Sequence, residues 1–137
     1  MDLRRFLLSG ILGGVAIWII GIILSIIVMQ IWPFDVLALG GMRAIGDPIM
    51  LLYFLHPFVL AFALSYIYPM LEKNFKGSYV DKGKSFGIVM WIASSVPSAF
   101  LVYSSMNYPI GFTVQSVIGS LLYMIAAGIV IARINKR

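Results

Sequence analysis

No cysteine occurs in this chain, histidine occurs once, and only five of its 137 residues are acidic. Without a thiol there is no disulfide, thiolate metal site, iron–sulfur centre or cysteine nucleophile. One histidine cannot supply a bis-histidine haem pair, which leaves only a methionine as second axial ligand, and no cluster of His, Asp and Glu has metal-ligand spacing. Hydrolase-like chemistry needs a base oriented by a carboxylate, and only Asp35 and Asp47, both outside the long apolar runs, are candidates to orient His56. The sequence therefore assigns no catalytic residue, no cofactor and no metal ligand, and it reads as non-enzymatic.

Charge is scarce as well. Charged residues make up 11% of the chain and hydrophobic ones 61%, where a soluble domain carries roughly 25% charge. The apolar residues come in runs too long for a globular core, so the class implied is an integral membrane protein. A net charge of +5 does not signal nucleic acid, because the basic residues sit at the ends of the apolar runs rather than on a water-exposed face interleaved with aromatics. The implied partner is the lipid bilayer.

What is present is a sequence of four apolar runs, predicting an all-α, four-transmembrane-helix bundle in a single membrane domain, 1–137. The first run, 6–32, is too long for a signal-peptide core of about 7 to 15 residues. At about 1.5 Å per residue it reaches roughly 40 Å, against a hydrocarbon core of about 30 Å, and Trp32-Pro33 ends it. Residues 34–47 are glycine-bearing and read as a loop with a short interfacial helix, in which Arg43 and Asp47 are spaced to pair. Asp47-Pro48 reads as N-cap and first helical residue of a second span, 48–71. Glu72 to Lys84, the one strongly polar stretch between the halves, reads as a loop. A third span, 83–105, a tight turn over Met106 to Phe112, and a fourth span, 113–132, complete the chain.

Orientation follows from the basic residues. Arg4, Arg5, Lys73, Lys76, Lys82, Lys84, Arg133, Lys136 and Arg137 fall on the side of the termini and the central loop, and Arg43 alone falls on the other. The positive-inside rule then places both termini in the cytoplasm of a multi-pass plasma-membrane protein, with Lys73, Lys76, Lys82 and Lys84 as its inner basic anchor. Those lysines are also suited to anionic headgroups or an acidic partner surface. Aromatics such as Trp32, Tyr103 and Tyr108 at one level and Tyr66, Tyr68 and Tyr79 at the other fit interfacial belts.

Helices in lipid associate through small residues that let backbones approach. Gly10 and Gly14 form one GxxxG pair and Gly83 and Gly87 another, so these are the candidate helix-packing residues; Ser94/Ser98, Ser95/Ala99, Ser116/Ser120 and Gly128/Ala132 repeat the spacing. His56 is the one ionisable side chain other than tyrosine well inside a span, roughly 12 Å from its outer end. Ser94, Ser95 and Ser98 reach a similar depth on the third span, about 9 to 15 Å in, and Pro57 and Pro97 are candidate kinks. The expectation is a polar pocket in the outer half, built from His56, Tyr53, Ser94, Ser95 and Ser98; the competing expectation is a neutral histidine bonded across a helix contact.

The segment Gly87-Ile88-Val89-Met90-Trp91-Ile92-Ala93-Ser94-Ser95-Val96-Pro97, with Tyr103-Ser104-Ser105-Met106-Asn107-Tyr108-Pro109 and the glycine-bearing last helix, resembles small four-span prokaryotic membrane proteins that form domains of unknown function. The resemblance covers roughly the last 55 residues and implies the four-span layout without active residues. Small multidrug exporters differ, since they carry a glutamate inside the first helix and Phe6 to Trp32 contains no acid. The functional expectation is an accessory subunit of a larger membrane complex or a self-associating bundle. The alternative is a small-solute transporter or channel using the pocket near His56.

Overall fold

The computed structural model describes residues 2–44 and 46–136. Among them there is no strand, and four helical rods are long and apolar enough to cross a membrane: Leu3–Ile31, Met50–Asn74, Tyr79–Ser105 and Ile110–Asn135. The first rod is α1 (Leu3–Ile31), and the second is α2 (Met50–Leu71) ending in a 3-10 turn, Glu72–Asn74. In the third, α3 (Tyr79–Met90) passes through a π-helical turn, Trp91–Ser95, into α4 (Val96–Ser105). In the fourth, α5 (Ile110–Val114) passes through a second π-helical turn, Gln115–Gly119, into α6 (Ser120–Asn135).

The stretch from Glu72 to Lys84 is not the loop that its polarity suggests. Only 75–78 are non-helical there, and the third rod starts at Tyr79 rather than Gly83. Ser78 caps it reciprocally: its Oγ accepts from the Asp81 N–H at 3.3 Å while Asp81 Oδ2 accepts from the Ser78 N–H at 3.0 Å. This satisfies two groups that would otherwise be orphaned at the helix start. Gly77, at φ +93°, makes the turn that feeds it. Lys82 and Lys84 therefore stand on helix, while Lys73 lies in the 3-10 turn and Lys76 in the short connection. The fourth rod likewise starts earlier and ends later than its apolar run, at Ile110 after Pro109 and at Asn135. At the second rod, Asp47 Oδ1 accepts from the Ile49 N–H at 2.9 Å, and a tight turn through Pro48 leads into the regular helix at Met50. Arg137, counted among the basic residues above, lies outside the described residues, as does Met1.

α6 is the central element, packed against α1, α2 and most closely α3. That closeness depends on glycine. A methyl built on Gly87 would stand 2.6 Å from the Met124 carbonyl oxygen, and one on Gly83 would stand 2.5 Å from the Ile129 Cα, while Gly128 meets the Gly83 carbonyl. On the other side, Gly10 lies under the ring of Phe62, Gly14 under the ring of Phe58, and Gly13 faces Ala61 and Ile131. Both GxxxG pairs are thus occupied within the chain. Around them Ile17, Leu64, Tyr68, Phe86, Met124 and Ile131 close the core. Asn135 Nδ2 donates to the buried Ser9 Oγ at 3.1 Å, tying the end of the last helix to the start of the first.

The opposite end is open. Leu51 to His56 are exposed in succession, and α4 contains no buried residue. Order there comes from the connections: Tyr108 donates from its hydroxyl to the Gly40 carbonyl at 3.1 Å, Phe34 meets Phe112 edge-on at 6.1 Å, and Arg43 bonds Asp47 at 2.7 Å. The Arg43 guanidinium, aided by the Ile49 N–H, holds the Asp47 carboxyl below its ordinary range.

Because α3 and α6 meet backbone to backbone, neither side can yield by turning a side chain. Gly87→Ala and Gly128→Ala are each expected to destabilise the fold by about 1–3 kcal/mol. Gly21→Ala, with nothing within 4 Å, serves as the control and should leave the midpoint in place. Thermal unfolding of the protein purified in mild detergent reads the difference, and equal midpoints for all three variants would contradict this packing.

Candidate functional site

Along the third rod, positions four apart present Gly83, Gly87, Trp91, Ser95 and Ala99 on one ridge. The fourth rod answers with Gly128, Met124, Ser120, Ser116 and Phe112. The first pairs meet backbone to backbone, and then the indole of Trp91 intervenes. Its Nε1–H is shared between the Val117 carbonyl and Ser120 Oγ, 3.0 Å from each, and Ser120 also donates to Val117 O at 3.0 Å. Beyond this wedge the rods no longer touch closely and a cleft opens.

Two π-helical turns flank the wedge. The first has a local cause: Pro97 has no N–H to give, and its ring crowds the carbonyl four residues back, at Ala93. A turn widened ahead of the proline relieves that crowding, with the Val96 N–H reaching Trp91 O. The second turn contains Val117, whose carbonyl accepts from the indole as well as from the Ser120 N–H and hydroxyl. Pro57 behaves differently, since α2 runs through it unbroken from Met50 to Leu71.

The cleft has a volume of about 220 Å³. Ser95, Ser98, Ala99 and Val102 line one wall, and Phe112, Thr113, Ser116, Ser120 and Tyr123 line the other. No charged side chain among the described residues borders it. Ser116 spends its hydroxyl on the Phe112 carbonyl at 2.8 Å, whereas Ser95, Ser98 and Thr113 make no side-chain hydrogen bond among the described residues. The chemistry on offer is three free hydroxyls in a neutral, largely apolar groove, with no base to activate them. That suits hydrogen bonding to an uncharged group and provides no nucleophile.

Of the five residues expected to form one pocket, Ser95 and Ser98 line this cleft. Ser94 stands outside it and donates back to Met90 O at 2.7 Å. His56 and Tyr53 are exposed on α2, also outside the cleft, and Tyr53 packs edge-on against Phe54 at 5.6 Å. Neither candidate carboxylate is idle: Asp35 Oδ1 accepts from the Leu37 N–H at 2.9 Å, and Asp47 is held by Arg43. Among the described residues no group of three His, Asp or Glu could hold a metal ion. Thr113, Ser116, Ser120 and Tyr123 are the hydroxyl-bearing cleft residues absent from the expected pocket, and Ala99, Val102 and Phe112 are the apolar ones. Ser116 and Ser120 carried a signal in their small-residue spacing, but which helix they faced did not follow from it. Gln115 Oε1 is buried without a hydrogen-bond partner among the described residues.

The four basic anchor residues also divide. Lys73, Lys76 and Lys84 are exposed, whereas Lys82 is half-buried, 3.4 Å from Glu72 Oε1.

If the indole bridge holds the two rods, Trp91→Phe should destabilise the protein by about 1 kcal/mol or somewhat more, through a lost donor and a smaller wedge. Ser120→Ala should cost less, because the indole keeps its bond to Val117 O. Unfolding midpoints in detergent test this ranking, and the reverse order would contradict it.

No protein-family model, curated protein or solved structure matches this chain, so its function is argued from its own groups.

Proposed function

We propose that the chain is a non-enzymatic integral membrane protein whose role is to pack against other transmembrane helices, either those of a second copy or those of a larger membrane complex. In this reading it crosses the plasma membrane four times, with both termini and the basic end in the cytoplasm. Four apolar rods of sufficient length support the crossing. Gathering nearly all the lysines and arginines at one end supports the direction.

The observation that carries the association is His56. It is exposed on α2 within a run of exposed residues, Leu51 to His56, that is otherwise apolar apart from Tyr53. Left against lipid, an imidazole has no partner for its N–H or its ring nitrogen, and an unsatisfied polar group in hydrocarbon is costly. A neighbouring helix removes that cost. The free surfaces of α4, including Phe100, which is 74% exposed, extend the area open to contact. Both GxxxG seams are already filled from within the chain, so association uses these faces instead.

Mass measurement after gentle detergent extraction tests the proposal. The wild type should travel as a particle larger than one chain plus detergent, and His56→Leu should lower that share several-fold, a change of about 1 kcal/mol or more. A strictly monomeric wild-type particle with nothing copurifying contradicts the reading. It would return the small-solute alternative, for which the Ser95 and Ser98 cleft is the place to substitute.

A further inference from the structure

At the closed end a second cavity, of about 270 Å³, lies where three rod ends converge. Tyr68 and Glu72 come from the end of the second rod, Ser78 and Lys82 from the start of the third, and Lys136 from just past the fourth. Tyr68 is 1% exposed and packs edge-on against Phe86 at 5.1 Å. Its hydroxyl makes no hydrogen bond among the described residues, although the ring lines the cavity. The hydroxyl is not sealed from its surroundings, so at the wall of the cavity it is a donor open to whatever occupies that space.

The charges around that donor favour an anion. Lys82 and Lys136 bring two ammonium groups, and among the described residues the single carboxylate lining the cavity is Glu72. Glu72 holds Lys82 loosely, at 3.4 Å, and Lys136 lies over the Tyr79 ring at 5.6 Å, so both ammonium groups keep donors to spare. Asp81 does not line the cavity; its carboxylate is engaged by the Ser78 N–H and hydroxyl, at 3.0 and 2.6 Å. The start of α3, with its positive dipole end, faces the same space.

We propose that this cavity binds a phosphate group, with Lys82, Lys136 and the Tyr68 hydroxyl as its donors. Phosphate matches because its several oxygens can accept from donors that approach from different rods. The cavity sits at the ends of three candidate spans, the level at which lipid phosphates lie in the four-span reading above, so a phospholipid headgroup is one source and free phosphate is the other. Only the lipid source rests on that reading.

The test uses the full chain in phosphatidylcholine nanodiscs containing a fraction of phosphatidylglycerol, with retained lipid counted by native mass spectrometry. Inorganic phosphate is titrated separately against the detergent-solubilised protein. Replacing Lys82 and Lys136 together by Gln should weaken binding about tenfold. Replacing Lys73 and Lys76 by Gln, the same charge removed away from the cavity, should leave binding within a factor of about two. Tyr68→Phe keeps the ring and its packing, so it tests the site even if the double lysine variant fails to fold, and it should weaken binding several-fold. Phosphatidylglycerol retained in preference to phosphatidylcholine and unaffected by millimolar phosphate would identify the lipid source. Phosphate binding that the site variants abolish would identify the soluble source. Equal losses in both lysine pairs, or no phosphate-bearing ligand preferred and Tyr68→Phe without effect, would overturn the proposal. Failure to enter nanodiscs would count against the four-span reading alone, because the phosphate titration in detergent would still decide the site.

Discussion

Everything in this fold depends on how near two helix backbones can come at Gly83, Gly87 and Gly128. Where no side chain intervenes, α3 and α6 lie against each other, α1 packs on the other side of α6, and α2 packs chiefly on α1. The same ridge then changes character along its length. After two glycines it presents the indole of Trp91, and after the indole it presents serine and alanine. Rods pressed together at one end and propped by a large ring partway along must diverge beyond the prop. The closed end and the open cleft are therefore one consequence of the order Gly, Gly, Trp, Ser, Ala at four-residue spacing.

Backbone chemistry makes the prop possible. A proline inside a helix removes a donor and crowds a carbonyl, and the widened turn before Pro97 absorbs that defect. The partner rod carries its own widened turn, and Trp91 serves it by donating to Val117 O. The Val117 carbonyl also accepts from the Ser120 N–H and hydroxyl, so the indole N–H adds a bond between the rods to the bulk that props them apart. What remains beyond the prop is a neutral groove with three unbonded hydroxyls and an exposed His56 on a different rod.

Much of this was legible in the residues, and the gaps have physical causes. Long apolar runs announce helices because a helix satisfies its own backbone N–H and C=O groups away from water, so the four rods were visible. Rod ends were less so. Hydropathy registers polarity, and the Ser78 to Asp81 cap is polar for the sake of helix formation, which made a helix start resemble a loop. Depth along a span can be counted at helical rise, and so His56 and the serines were assigned one level. Direction around the axis cannot be counted that way: which rod a residue faces depends on tertiary packing, and here His56 faces away from the cleft that Ser95 and Ser98 line. Glycine spacing marked the seams, while their partners, Phe58, Phe62 and α6, became visible only in three dimensions.

The proposed arrangement places the glycine-closed, lysine-rich end in the cytoplasm and the open end outside. Its most direct test exploits the absence of cysteine from the sequence, because a single introduced thiol is then this protein's sole target for a membrane-impermeant maleimide. On intact cells, Asn107→Cys should be labelled, and Lys76→Cys should be labelled only after permeabilisation. Labelling of Lys76→Cys on intact cells with Asn107→Cys protected would contradict the orientation, and recovery of the protein in the soluble fraction would contradict the account as a whole.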